Sequence, residues 1–166
     1  EGSIFYFRYI FFSLGVWYLL DANSHLSKCL LIISVISILF VCVDAVYQYF
    51  YDVNIFGNVK HSSNRLTGLF GNEPIVGRYV SYLSLITFAL IYQNFSNQKN
   101  VMIFSIIFFS LCEIVVFLSG ERAPLFYLIL FVILFVIFIP NYRAYKIIGT
   151  SFSIIIILSV TFFNPN

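Results

Sequence analysis

Six long apolar runs dominate the chain, at residues 4–20, 27–51, 74–93, 101–118, 124–139 and 147–163. A helix needs about 20 mostly apolar residues, within a range of about 17–25, to cross the hydrocarbon core of a bilayer. Runs of that length along the whole chain leave little choice of fold. They predict an all-α, polytopic transmembrane helix bundle of about six spans, forming a single domain over residues 1–166. Hydrophobic residues make up 61% of the chain and charged residues only 10%, against roughly 25% charged in soluble domains. Mean hydropathy is +0.96. A soluble core of 166 residues has no room to hide that much apolar surface. The 21 phenylalanines suit a lipid-facing exterior. A net charge of +2 is too small and too scattered to suggest nucleic acid as a partner. The sequence opens on Glu1 at the flank of one run and stops at Asn164-Pro165-Asn166 just after another. It therefore reads as a fragment of a larger membrane protein.

The connections alternate in character. Residues 21–26, 94–99 and 140–146 are short and plain, whereas residues 52–73 and 119–123 carry glycines and arginines. With six spans, each set falls on its own side; the motif side is face A and the plain side face B. The motifs are Asn64-Arg65-Leu66-Thr67-Gly68-Leu69-Phe70-Gly71-Asn72-Glu73-Pro74 and Ser119-Gly120-Glu121-Arg122-Ala123-Pro124. Arg8, Asp44, Arg78 and Glu113, the ionisable residues within the spans away from the face-B boundary, all lie toward face A, at depths on the order of 6–12 Å. Charge in the hydrocarbon region is costly, so its concentration at one end marks where the chemistry is. Cys29, Cys42 and Cys112 sit in apolar runs without metal-ligand spacing and read as small buried hydrophobes, so no metal and no cofactor is expected.

Pro74 and Pro124 fit the first turn of a helix, which starts the third and fifth helices at face A. Helix N-termini present free N–H groups and partial positive charge. With Arg65, Arg78 and Arg122 they compose an anion site, because the planar guanidinium matches phosphate oxygens. Simpler readings stand beside this one. Arg8 can snorkel to headgroups. Arg78 can pair with Glu73 or an internal carboxylate, and Asp44 and Glu113 can be structural partners holding helices together. Lys60 and His61 read as solvated loop residues, and Tyr47, Tyr49, Tyr51, Tyr142 and Tyr145 as interfacial belts. Gln48, one turn from Asp44, extends a polar stripe with it.

The arrangement of the Arg65-Leu66-Thr67-Gly68-Leu69-Phe70-Gly71-Asn72-Glu73 segment, two helices, and the Ser119-Gly120-Glu121-Arg122-Ala123 segment resembles the O-antigen ligase/polymerase family. These are bacterial polytopic GT-C glycosyltransferases in which an R-x-x-G-x-F-type and an S-R-G/S-G-E-R-type segment lie on the periplasmic side. The resemblance covers about residues 50–165, and Glu121-Arg122 with Gly71-Asn72-Glu73 resembles the polymerase-like branch. It implies a multi-pass protein of the bacterial inner membrane with periplasmic motif loops. The donor it implies is an undecaprenyl-pyrophosphate-linked glycan, and the acceptor a second lipid-linked glycan or lipid A-core. The implied reaction is metal-independent and inverting. Arg65 and Arg122 carry over as the catalytic pyrophosphate-holding residues, while Arg78, Glu73, Glu121, Asp44 and Glu113 are candidates for substrate binding. The family's long periplasmic loop, with the histidine found in ligases, has no counterpart before Asn166, and neither His25 nor His61 matches that histidine. The acceptor-side base is expected beyond Asn166. Two rival readings use the same charges: a transporter or flippase for an anionic or lipid-linked substrate, and a structural membrane subunit.

Overall fold

The computed structural model describes residues 7–60, 65–95, 97–138 and 143–163. The described residues form six α-helices in chain order: α1 (Phe7–Ala22), α2 (Ser24–Tyr51), α3 (Val76–Phe95), α4 (Lys99–Leu118), α5 (Arg122–Phe138) and α6 (Arg143–Phe163). A 3-10 turn, Gly68–Phe70, lies in the long connection between α2 and α3. The all-helical architecture follows the six apolar runs. Among the described residues two helices, Ser24–Tyr51 and Lys99–Leu118, are long and apolar enough to cross a membrane, and Ile10–Ala22 and Arg122–Phe138 are apolar but shorter.

Local chemistry explains where helices begin and end. Asn23 starts α2: its side-chain oxygen accepts the N–H groups of His25 and Leu26 at 3.1 and 3.3 Å. Asp52 stops α2 in a left-handed conformation (φ 59°), with its N–H donated to Gln48 C=O. Gly120, at φ 75°, turns the chain out of α4, and its N–H reaches Phe117 C=O at 3.1 Å. One expectation needs correcting. Pro74 does not open α3, which begins at Val76, because the first N–H groups of that helix are satisfied from elsewhere in the chain, as described below. Pro124 does sit in the first turn of α5, although that helix begins at Arg122.

Helices α3 and α4 occupy the centre. They pack on each other, on α2 and on α5, with α6 against α4 and α1 against α2. Ile38, Val80, Met102, Val116 and Leu128 are fully buried between them. At the centre four aromatic rings interlock, with Phe88 edge-on to Phe135 at 4.5 Å and Phe131 stacked on Phe135 at 5.7 Å. Hydroxyls and an amide tie α2 to α3 along their length: Thr87 donates to Ser34 at 2.9 Å, and Asn94 to Ser27 at 2.8 Å. Gly149 lets α6 approach α4, since a Cβ there would sit 2.6 Å from Ile106 Cγ2.

Candidate functional site: two arginine loops joined at one end of the bundle

The connections at residues 52–75 and 119–121 lie at one end of the bundle and are bonded to each other. Leu66 N–H donates to Ser119 C=O at 3.4 Å. Glu121 Oε1 accepts the N–H groups of Gly77 and Arg78 at 2.7 and 3.3 Å. Ser119 is fully buried; its hydroxyl donates to Val116 C=O and accepts from Glu121 N–H. The fit is close. A Cβ added at Gly77 would fall on Ser119 Oγ and lie 3.0 Å from Glu121 Oε1.

This arrangement reassigns Glu121. The sequence makes it a candidate for substrate binding, but its buried carboxylate caps α3, placing negative charge at the positive end of the helix. It also corrects the expected anion site, because two of the leading N–H groups of α3 are already occupied by Glu121.

The first arginine loop is anchored from beneath. Gln48 and Asp44, one turn apart on α2, are both fully buried. Gln48 Oε1 accepts Thr67 N–H and Gly68 N–H at 2.9 and 2.8 Å, and its Nε2 donates to Thr67 Oγ1 at 3.2 Å. Asn54, also buried, donates to Gly68 C=O at 2.7 Å and accepts the N–H groups of Phe56 and Asn58. This closes the tight turn in which Val53 pairs with Val59. Gly68 is held at φ 50°, and a Cβ there would press on Asp44 Oδ2 and Val76 Cγ2, each at 3.1 Å. Asp44 Oδ1 accepts Ile55 N–H at 2.9 Å, while its Oδ2 is buried with no hydrogen-bond partner among the described residues. Of these anchors, sequence reasoning singled out Asp44 as a candidate ligand contact and Gln48 only as part of a polar stripe. Asn54 was missed: its signal is an Asn followed by Gly57 within a turn, but its partner Gly68 is 14 residues away.

The three arginines differ from these anchors in being exposed. Arg65, Arg78 and Arg122 all project from the surface, as does Glu73. Among the described residues none of the three makes an ion pair; the ion pair present joins Lys60 to Asp52 at 3.8 Å. Lys60, expected to be solvated, is thus half-buried and tied down, with its ammonium also 5.8 Å from the centre of the Tyr49 ring. Arg78 does not pair with Glu73 or with an internal carboxylate. Glu113 is buried on α4 and accepts a hydrogen bond from the Ser153 hydroxyl of α6. It lines an apolar cavity of about 440 Å³ with Leu128, Val132, Thr150 and Ile157. The structure therefore brings Arg65, Arg78, Arg122 and Glu121 to one end. It places Asp44 directly beneath the first loop and Glu113 apart, toward α6. The expectations for the Arg8 side chain, His61, Asn64 and Tyr142 lie outside the described residues.

Two cations at the opposite end behave differently. Arg143 donates to Val136 C=O and Ile137 C=O at 3.1 and 3.0 Å, and Lys146 reaches Phe135 C=O at 3.5 Å. Both cap the C-terminus of α5, where the helix dipole favours positive charge. Arg143 and Lys146 are thus engaged with the protein's own backbone at one end, while Arg65, Arg78 and Arg122 project outward at the other. No family model, no curated protein and no solved structure matches this chain.

Proposed function

We propose that the chain is the motif-bearing part of a multi-pass bacterial inner-membrane glycosyltransferase of the O-antigen ligase/polymerase class, with the arginine loops on the periplasmic face. The donor is an undecaprenyl-pyrophosphate-linked glycan. The acceptor is a second lipid-linked glycan or lipid A-core. Arg65 and Arg122 grip the pyrophosphate, with Arg78 beside them, and stabilise the charge that develops on it as the glycosidic bond breaks. The observation that carries this reading is the joining of the two loops. Leu66 bonds to Ser119 and Glu121 to Gly77 and Arg78, while all three guanidiniums stay exposed and free of carboxylate partners among the described residues. Carboxylate partners would compete with a diphosphate, and none is engaged.

A membrane setting is supported by the apolar exterior. Phe11, Phe12 and Trp17 of α1, Ile137 and Phe138 of α5, and Ile155 and Leu158 of α6 are all exposed. Leaving that surface in water is unfavourable by roughly 25 cal/mol per Å², and lipid removes the cost.

The test has two arms. In a cysteine-free background, Asn72→Cys and Asn97→Cys should label from opposite sides with a membrane-impermeant maleimide, Asn72→Cys from outside. In a strain lacking its own polymerase, the full-length protein should restore long glycan, and Arg65→Lys or Arg122→Lys should abolish it at normal membrane levels, because a point charge cannot replace a bidentate fork. Wild-type glycan length from both lysine variants sinks the proposal.

A further inference from the structure

We propose that Gln48 is a positioning residue for Arg65, acting through the loop that carries the arginine; this rests on the diphosphate-binding reading above. Arg65 is exposed and makes no ion pair among the described residues, so its own side chain does not fix its place. The next three residues do. Leu66, Thr67 and Gly68 are buried, and between them they are tied to three different elements. Leu66 bonds to Ser119 after α4, Thr67 and Gly68 bond to Gln48 of α2, and the Gly68 carbonyl bonds to Asn54 in the 53–59 turn.

Gln48 carries the largest share, with one carboxamide making three of these bonds. The chemistry suits an amide and no other side chain of this length. Its oxygen accepts from two adjacent backbone N–H groups while its nitrogen donates to the threonine hydroxyl, and all of this occurs away from water. A glutamate could accept both N–H groups, but it would set a second buried carboxylate one turn from Asp44. A methionine would fill the space and leave two buried N–H groups unpaired. Pulling the Thr67 and Gly68 N–H groups onto α2 sets the path of the chain immediately after Arg65. It thereby sets where the guanidinium is launched relative to Arg122, which follows the Ser119 joint by three residues.

The experiment uses the full protein in lipid nanodiscs with inorganic pyrophosphate as the probe. It compares wild type, Gln48→Met, Arg65→Lys and the double variant. Hydrogen exchange reads the loop directly: Gln48→Met should unprotect the Thr67 and Gly68 amides. Pyrophosphate binding should weaken about tenfold in each single variant. The double variant should be little worse than either alone, because an arginine that is already displaced has no fork left to lose. Two tenfold losses that multiply to about a hundredfold show independent effects and overturn the positioning role. So does unchanged exchange at Thr67 and Gly68. Wild-type protein that binds no pyrophosphate overturns the proposed function and this role with it, while the exchange arm still reports on the clamp itself. Should Gln48→Met fail to accumulate in the membrane, Thr67→Val removes the hydroxyl partner alone and carries the same cycle.

Discussion

Replacing Glu121 by alanine removes one carboxylate and strips two backbone N–H groups, those of Gly77 and Arg78, of their acceptor. Water cannot readily take its place, because Glu121 is 8% exposed and Gly77 is buried against Ser119. A hydrogen bond to a charged group contributes about 1.5–3 kcal/mol, and loss of a helix N-cap costs about 0.5–2 kcal/mol. These describe the same bonds and do not add, so the local cost is about 2 kcal/mol, or roughly a 30-fold rise in the opening constant of the first turn of α3. The assay is hydrogen exchange of the Gly77 and Arg78 amides in nanodiscs. Glu121→Gln keeps an acceptor oxygen and should retain most of the protection. Gly77→Ala attacks the same joint from the other side, since its methyl would fall on Ser119 Oγ and crowd Glu121 Oε1. Overpacking of this kind costs about 1–3 kcal/mol. The pair should therefore cost less together than the sum, because truncating Glu121 vacates part of the space the new methyl needs. Unchanged exchange in Glu121→Ala, or strict additivity of the pair, would refute this account of the joint.

Further outcomes follow from the same contacts. Gly68→Ala should destabilise the loop by about 1–3 kcal/mol, combining a left-handed backbone with crowding against Asp44 and Val76, and should raise proteolytic sensitivity at residues 52–75. Asp44→Asn should be tolerated or mildly stabilising in a denaturant titration, because Oδ1 can still accept from Ile55 while the unpartnered oxygen becomes an uncharged amide. Asp44→Leu should lose about 1–3 kcal/mol by orphaning the Ile55 N–H. Arg143→Ala, at an exposed position capping α5, should cost no more than about 1 kcal/mol by thermal melting in detergent.

Helix placement was legible because apolar length is a local property. The runs at 27–51 and 101–118 became Ser24–Tyr51 and Lys99–Leu118, with small shifts at their starts, the first of them set by the Asn23 cap. The gathering of Arg65, Arg78 and Arg122 at one end was legible too, since alternating connections of helices put odd and even loops on opposite sides. The role of Glu121 was not. Its partner Gly77 is 44 residues away, and nothing nearby distinguishes a carboxylate aimed at a guanidinium from one aimed at a helix end. Pro74 misled for the same reason, because it satisfies the usual first-turn rule while the true start of α3 is set by a cap from another loop. Gln48 looked like an extension of a stripe because its three bonds reach 19 and 20 residues along the chain. Only the folded path of the loop reveals that a glutamine and an aspartate on one helix face are doing different jobs.

The contact among Gly77, Ser119 and Glu121 also bears on how such a sequence can change. A side chain at 77 has room only if 119 or 121 shrinks at the same time, and a smaller residue at 121 leaves α3 uncapped unless 77 or its neighbours supply a new acceptor. Single steps away from this trio are therefore uphill, while paired steps can be level. A saturation library at the three positions, selected for membrane accumulation alone, should return linked combinations in place of independent preferences. The two arginine loops would then behave as one heritable unit, even though two helices separate them along the chain.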